Sequence, residues 1–221
     1  MINFILELIT NAFALIITTI GLREKMVKVI PSGRTYNKKI AKSIRNAKKS
    51  IHIHFRMLRP SEGNAYPRLI NNAIAERVKE GDIKIFILTT KEYDRIAGAF
   101  ELKEILIDNN IHFSSKLNTD LSYTLIDEKK AIIGINKDHT TRSNYSPSDT
   151  WIEINSVTLC EILEKNYREV LEESVSYNEY LTQIVSEYTG GKKKNIETAA
   201  HNLKIPIKEV SNFFCNPTVI A

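Results

Sequence analysis

A chain of 221 residues is long enough to bury one substantial core and carry a short appendage. With 43% hydrophobic and 26% charged residues it is neither a disordered chain nor one embedded throughout in a membrane. A net charge of +5 favours contact with nucleic acid or anionic lipid, and two cysteines, Cys160 and Cys215, are too few for a disulfide framework, which fits a cytoplasmic setting.

Residues 1–22 contain no lysine or arginine, and Arg23, Lys25 and Lys28 follow. A stretch of about 20 apolar residues suffices to cross a bilayer, and the basic flank would leave the rest of the chain on the cytoplasmic side. Asn3, Glu7, Asn11 and Thr18 recur at helical spacing. The competing expectation is therefore an amphipathic helix that packs on the domain or pairs with its copy. Residues 1–25 are set apart on these grounds as an apolar N-terminal helix, either membrane anchor or dimer element.

From residue 26 onward the pattern changes. Val27–Pro31 reads as a short strand and Thr35–Lys49 as a helix, with Ile40, Ile44 and Ala47 inward and Lys38, Lys39, Lys42, Arg45, Lys48 and Lys49 outward. That outward run is expected to be a solvated face, with a phosphate-binding stripe as the alternative. Ile51–Leu58 alternates, placing Ile51, Ile53 and Phe55 on one face and His52, His54 and Arg56 on the other. A helix over Pro67–Lys79 and the near-continuous apolar run Ile83–Leu88 follow; the latter suits a central parallel strand covered on both faces. A helix over Lys91–Ile107, a strand at Ile111–Phe113, a hairpin from Leu121 to Gly134, a strand at Trp151–Ile154 and a helix from Ser156 complete the domain through residue 176. This order predicts an α/β/α sandwich with a mixed sheet.

The hairpin reads Leu121-Ser-Tyr-Thr-Leu-Ile-Asp-Glu-Lys-Lys-Ala-Ile-Ile-Gly134, two apolar runs joined over Glu128, Lys129 and Lys130. Together with Ser43-Ile-Arg-Asn-Ala-Lys-Lys-Ser-Ile-His-Ile, Arg77-Val-Lys-Glu-Gly-Asp-Ile-Lys-Ile and the closing strand and helix from Trp151 to Tyr167, it resembles one unit of the phospholipase D-like superfamily. The resemblance implies that fold, with a histidine nucleophile, a lysine two residues on, a closing aspartate and a Gly-Ser-x-Asn segment. Here the aspartate is Asp127, but Asp120 stands where the histidine belongs and Ser122 where the lysine belongs. The last segment reads Gly134-Ile135-Asn136-Lys137, so Asp120, Ser122, Asp127 and Asn136 are the degenerate motif positions. None of the five histidines has a lysine two residues later. An aspartate would repel a phosphodiester where a neutral imidazole should attack, and a serine supplies no charge to the transition state.

The expectation is a non-catalytic sensing or interaction protein, with a divergent, membrane-tethered nuclease or phospholipase as the rival. Single-unit members of the superfamily pair two hairpins across a two-fold axis, which implies a homodimer with a crevice for an unknown small ligand. His52, His54 and His139 are the candidates to line it. His52 and His54 have the spacing of some metal-binding pairs, but no third ligand accompanies them, so neither metal nor cofactor is expected.

Residues 177–221 form a helical tail. Tyr177–Tyr188 is helical, Gly190-Gly191-Lys-Lys-Lys194 breaks it, and Ile196–Leu203, the turn Lys204-Ile-Pro206 and Ile207–Phe214 resemble a helix-turn-helix. Alanine in the first helix allows close crossing, and Ile205 and Val210 plug the angle. The resemblance implies a DNA contact through Lys208, Ser211 and Asn212 on the second helix, with Lys192, Lys193 and Lys194 holding phosphates. A plain helical or dimerisation element is the alternative.

Overall fold

The computed structural model describes residues 27–30, 34–55, 65–81, 83–92, 95–106, 110–116, 121–135, 150–190 and 192–215. β1 (Val27–Ile30) leads into α1 (Arg34–Arg45), then come β2 (Ser50–Phe55), α2 (Ala65–Lys79), β3 (Lys84–Thr90) and α3 (Ile96–Lys103). β4 (Ile111–Ser114), the hairpin of β5 (Leu121–Ile126) and β6 (Lys130–Ile135), and β7 (Thr150–Asn155) follow. After them come α4 (Val157–Glu172), β8 (Val175–Ser176), α5 (Tyr177–Thr189), α6 (Ile196–Leu203) and α7 (Ile207–Cys215).

The eight strands form one mixed sheet in the order β1-β7-β6-β5-β2-β3-β4-β8. β3 pairs in parallel with both β2 and β4, as its unbroken apolar character requires, and every other pairing is antiparallel. Helices cover both faces, which makes the expected α/β/α sandwich. Strand alternation sends Ile51, Ile53, Ile85, Ile87, Ile126 and Ile132 to one core, under α1, α2 and α3. Leu88, Tyr123, Leu125, Ile133, Ile152 and Ile154 go to the other, where Leu159, Cys160, Leu163 and Tyr167 of α4 close over them.

Three features depart from expectation. α3 spans Ile96–Lys103 rather than Lys91–Ile107, because its apolar stretch supports only two turns. Its end is closed by Glu104 and Leu106 amides donating to the Phe100 and Leu102 carbonyls. β8, two residues long, leaves no alternation to read; it exists because Val175 and Ser176 pair with Phe113 and His112. The tail also packs into the first core, where Tyr180, Leu181, Ile184, Ala199, Leu203 and Val210 are buried with the sheet. Lys103 of α3 forms an ion pair with Glu209 of α7 and lies 5.1 Å from the centre of the Tyr177 ring.

Gly134 shows how tightly the sheet face is filled. It pairs with Ser122 on one side and Trp151 on the other. A Cβ at Gly134 would stand 2.0 Å from the indole of Trp151, so the ring rests directly on the glycine backbone. Gly134→Ala is expected to cost at least about 2 kcal/mol through overpacking. Urea unfolding followed by the fluorescence of Trp151, the only tryptophan in the chain, measures this directly. An unchanged midpoint would mean that the ring moves aside freely.

Candidate functional site

The two ends of the hairpin have different roles. Leu121 pairs with Ile135 and Ile135 with Thr150 at one end of the hairpin. Asp120, Asn136 and His139 lie outside the described residues. Ser122, the described motif position at this end, is 7% exposed and packed beside Gly134. In the same row the indole of Trp151 leans from β7 over Gly134 towards β5, filling the sheet face next to Ser122. This chain presents a hydroxyl beside a buried indole.

Asp127 lies at the opposite end of β5, five residues from Ser122 or about 17 Å along the strand. It therefore lies apart from Ser122, the other described motif position. Its carboxylate accepts hydrogen bonds from the backbone amides of Lys48 (2.9 and 3.0 Å), Lys49 (2.7 Å) and Ser50 (3.3 Å). Its own amide donates to the Ser50 carbonyl at 2.9 Å. The aspartate thus ties the hairpin to the loop between α1 and β2. Asp127 and Glu128 have φ of 54° and 59°, and the Lys129 amide closes the turn on Ile126. Both central residues being left-handed is the mark of a type I′ turn, whose twist suits a hairpin. The turn consequently begins at Asp127, one residue earlier than its charges suggest, and Lys130 already belongs to β6.

His52 and His54 do share a face, but that face is the second core and not a crevice. His52 is 9% and His54 4% exposed. The His52 ring stacks on Tyr167 of α4 with centroids 5.2 Å apart, and the His54 ring tilts against Tyr123 at 4.7 Å. Burial lowers the pKa of both, that of His54 to about 3. Neither ring nitrogen of His54 has a hydrogen-bond partner among the described residues, so the neutral ring serves as packing. Among the described residues no group of three or more histidine, cysteine, aspartate or glutamate side chains is placed to hold a metal.

The tail presents a different surface. Lys204, in the left-handed conformation with φ 54°, turns α6 into α7, and the Ile205 amide closes on the Ala200 carbonyl at 3.2 Å. Ala199, Ala200, Leu203, Ile205 and Val210 are all buried between the two helices. Lys192, Lys194, Lys208 and Asn212 are exposed, as is Ile207 at 52%. Ser211 is only partly exposed, and its hydroxyl donates to the Ile207 carbonyl of its own helix at 2.8 Å. The Lys193 side chain lies outside the described residues. Glu209, the only acid on α7, is held inward by Lys103. No local pattern in the sequence signals that ion pair, which joins residues 106 positions apart. The same applies to Lys39: it leaves the expected solvated face to pair with buried Glu153 at 3.3 Å. Among the described residues no helix is long and apolar enough to cross a membrane; residues 1–22 lie outside them.

No protein-family profile and no curated protein matches the chain. Among solved structures it is similar to Nuc of Salmonella typhimurium, a phospholipase D family member. The two share 15% identity at a TM-score of 0.50, over 68% of this chain and 97% of that one. It is also similar to the phosphatidylserine synthase of Haemophilus influenzae, at 16% identity and TM-score 0.47, over 66% of this chain and 37% of the synthase. TrmBL2, an archaeal chromatin protein, matches at 16% identity and TM-score 0.47, over 78% of this chain and 64% of its own. The chain thus covers less than two thirds of the length of either of these two. At such identities the likeness is one of fold, and the fold is phospholipase D-like.

Two measurements test these roles. Asp127→Ala should destabilise the chain by about 2 kcal/mol, because three amides are deprived of a charged acceptor. Asp127→Asn should cost less, since asparagine tolerates positive φ and keeps one oxygen; equal losses in urea unfolding would contradict the amide clamp. His54 has a folded pKa of about 3, below the 6.5 of an unperturbed histidine. Its neutral ring therefore contributes stability that is complete above pH 6.5 and is lost as pH falls towards 3, at a slope approaching about 1.4 kcal/mol per pH unit. His54→Leu should flatten the acid limb of a stability–pH curve over that interval; a limb of unchanged slope would place the titration elsewhere.

Proposed function

We propose that this phospholipase D-like fold works by binding and not by catalysis, with the C-terminal helix pair as its contact for DNA. The observation that carries the proposal is the outward face of α7. Glu209 is turned in to Lys103, so that face bears Lys208, Asn212 and Ile207 with no carboxylate beside them. From Gly190 to Cys215 there are five lysines against two glutamates, a balance suited to phosphate contacts. The first turn of a second helix in such a pair is where base edges are read. Lys208 offers hydrogen-bond donors there and Ile207 an apolar surface for a thymine methyl group, with Asn212 one turn further along the same face as Lys208.

The filled row of Ser122, Gly134 and Trp151 supports the non-catalytic half of the proposal, because a transition state cannot be stabilised where no charge or open space is provided. A phosphodiester turnover that falls on Ser122→Ala would restore the rival reading of a divergent phosphodiesterase. In this proposal the frame of the fold holds the helix pair through α3, α5 and β4, and pairing of two copies would set two such helices at a fixed spacing.

Fluorescence anisotropy of the full chain on duplex DNA tests the DNA contact. Lys192→Ala, Lys194→Ala and Lys208→Ala together should weaken binding to every sequence. They should also reduce the slope of log affinity against log salt by about 0.9 for each phosphate that the variant no longer neutralises. An affinity and slope equal to those of the parent would remove the tail from any DNA contact.

A further inference from the structure

The helix pair of the tail is joined to the body of the domain by a charged contact as well as by apolar packing. Lys103, in the last turn of α3, forms an ion pair with Glu209, in the first turn of α7. Each charge stands at the helix end that favours it, the cation at a C-terminus and the anion at an N-terminus. The two side chains are 25% and 14% exposed. They are therefore partly withdrawn from water, and removal of the lysine would leave a carboxylate that only solvent could satisfy.

An aromatic ring lies against the same lysine. Lys103 Nζ is 5.1 Å from the centre of the Tyr177 ring, and Tyr177, the first residue of α5, is fully buried. Three elements, α3, α5 and α7, thus meet at one ammonium group. Burial, and then the charges of Glu209 and Glu104, push the Tyr177 hydroxyl up, so Glu104 is the other carboxylate at this junction. It is exposed and follows Lys103 directly in the chain, so it stays with the domain body and not with α7.

On α7 the direction of Glu209 has a consequence for its neighbours. Val210, the next residue, is fully buried, and apolar contact of that kind is non-directional. The ion pair adds direction, because it fixes how far α7 is turned about its axis. Lys208, the residue before Glu209, is exposed, and Asn212 follows it on the same face one turn later. Freed from Lys103, the Glu209 carboxylate would turn to solvent beside the Lys208 ammonium. It would offset that charge and repel phosphate.

We infer that Lys103, which lies outside the helix pair, is a positioning residue for the DNA contact: it holds the Glu209 carboxylate away from phosphate and fixes the turn of α7 that presents Lys208. The inference rests on the DNA contact proposed for the tail and adds to it a residue of the domain body. A pair that only stabilises the fold is the competing account, and it differs in what it predicts for the effect of salt.

Duplex DNA binding by the full chain is followed by fluorescence anisotropy across a salt series, with the fluorescence of Trp151 showing that each variant is folded. Lys103→Met keeps an apolar stem against Tyr177 and removes the charge. It should weaken binding on the order of fivefold and lower the slope of log affinity against log salt by about 0.9, as the loss of one neutralised phosphate would. Adding Glu209→Gln should restore both, because no carboxylate is then left to release. Unchanged affinity and slope in Lys103→Met would overturn the inference and leave the tail as the DNA contact. Weaker binding with an unchanged slope would overturn it too, since that is the mark of a pair that only stabilises the fold. A loss that Glu209→Gln fails to restore would make Lys103 a direct phosphate contact instead. Should Lys103→Met not fold, Lys103→Gln carries the same expectation, and failure of both to fold would make the pair a stability element only. No binding by the parent at any salt would remove the DNA contact, and this inference with it.

Discussion

The carboxylate of Asp127 sets the geometry on which the sheet depends. It gathers the amides of Lys48, Lys49 and Ser50, nearly 80 residues away in sequence, onto the turn of the hairpin. Ile51 is thereby set opposite Ile126, and the whole β2–β5 register follows. Side chains alternate with a period of two, so a slip by one residue would exchange the two cores. His52 and His54 would then lie under α1 and α2, and Ile51 and Ile53 under α4. A charged acceptor for three backbone donors is a strong and directional restraint, and it acts where the chain changes from helix to strand. The positive φ at Asp127 and Glu128 is the local strain that accompanies it.

Two residues of the hairpin carry structural duties of this kind. Asp127 holds the loop, and Gly134 makes room for Trp151. Ser122, in the same row as Gly134, is buried beside the indole. Here the frame residues lie at the turn and in the sheet row, about one strand length from one another.

Charge is distributed by the same logic. Glu153 takes Lys39, Glu209 takes Lys103, and Glu76 takes Arg45, so much of the acidic complement is engaged within the fold between elements. Ion pairs of this kind orient helices more than they stabilise them, since desolvation offsets much of the attraction. Their larger consequence is at the surface. From Lys192 onward the exposed lysines Lys192, Lys194, Lys204 and Lys208 outnumber the one exposed acid, Glu197, among the described residues.

Much of this was legible in the chain. Period-two alternation identified β2 and β5, apolar continuity identified β3 as a central parallel strand, and the spacing of Ala199, Leu203, Ile205 and Val210 located the turn between α6 and α7. Those signals are local: each is a property of a few consecutive residues and the face they must bury. What sequence could not supply was pairing between distant elements. The side of the sheet that His52 and His54 occupy, the indole over Gly134 and the inward pull on Glu209 all depend on register and on which helix lies across which strand. The sequence by itself thus determined the elements and their order. Only the tertiary structure decided which polar groups are buried and which lysines stay free, because burial and ion pairing are set between residues tens of positions apart.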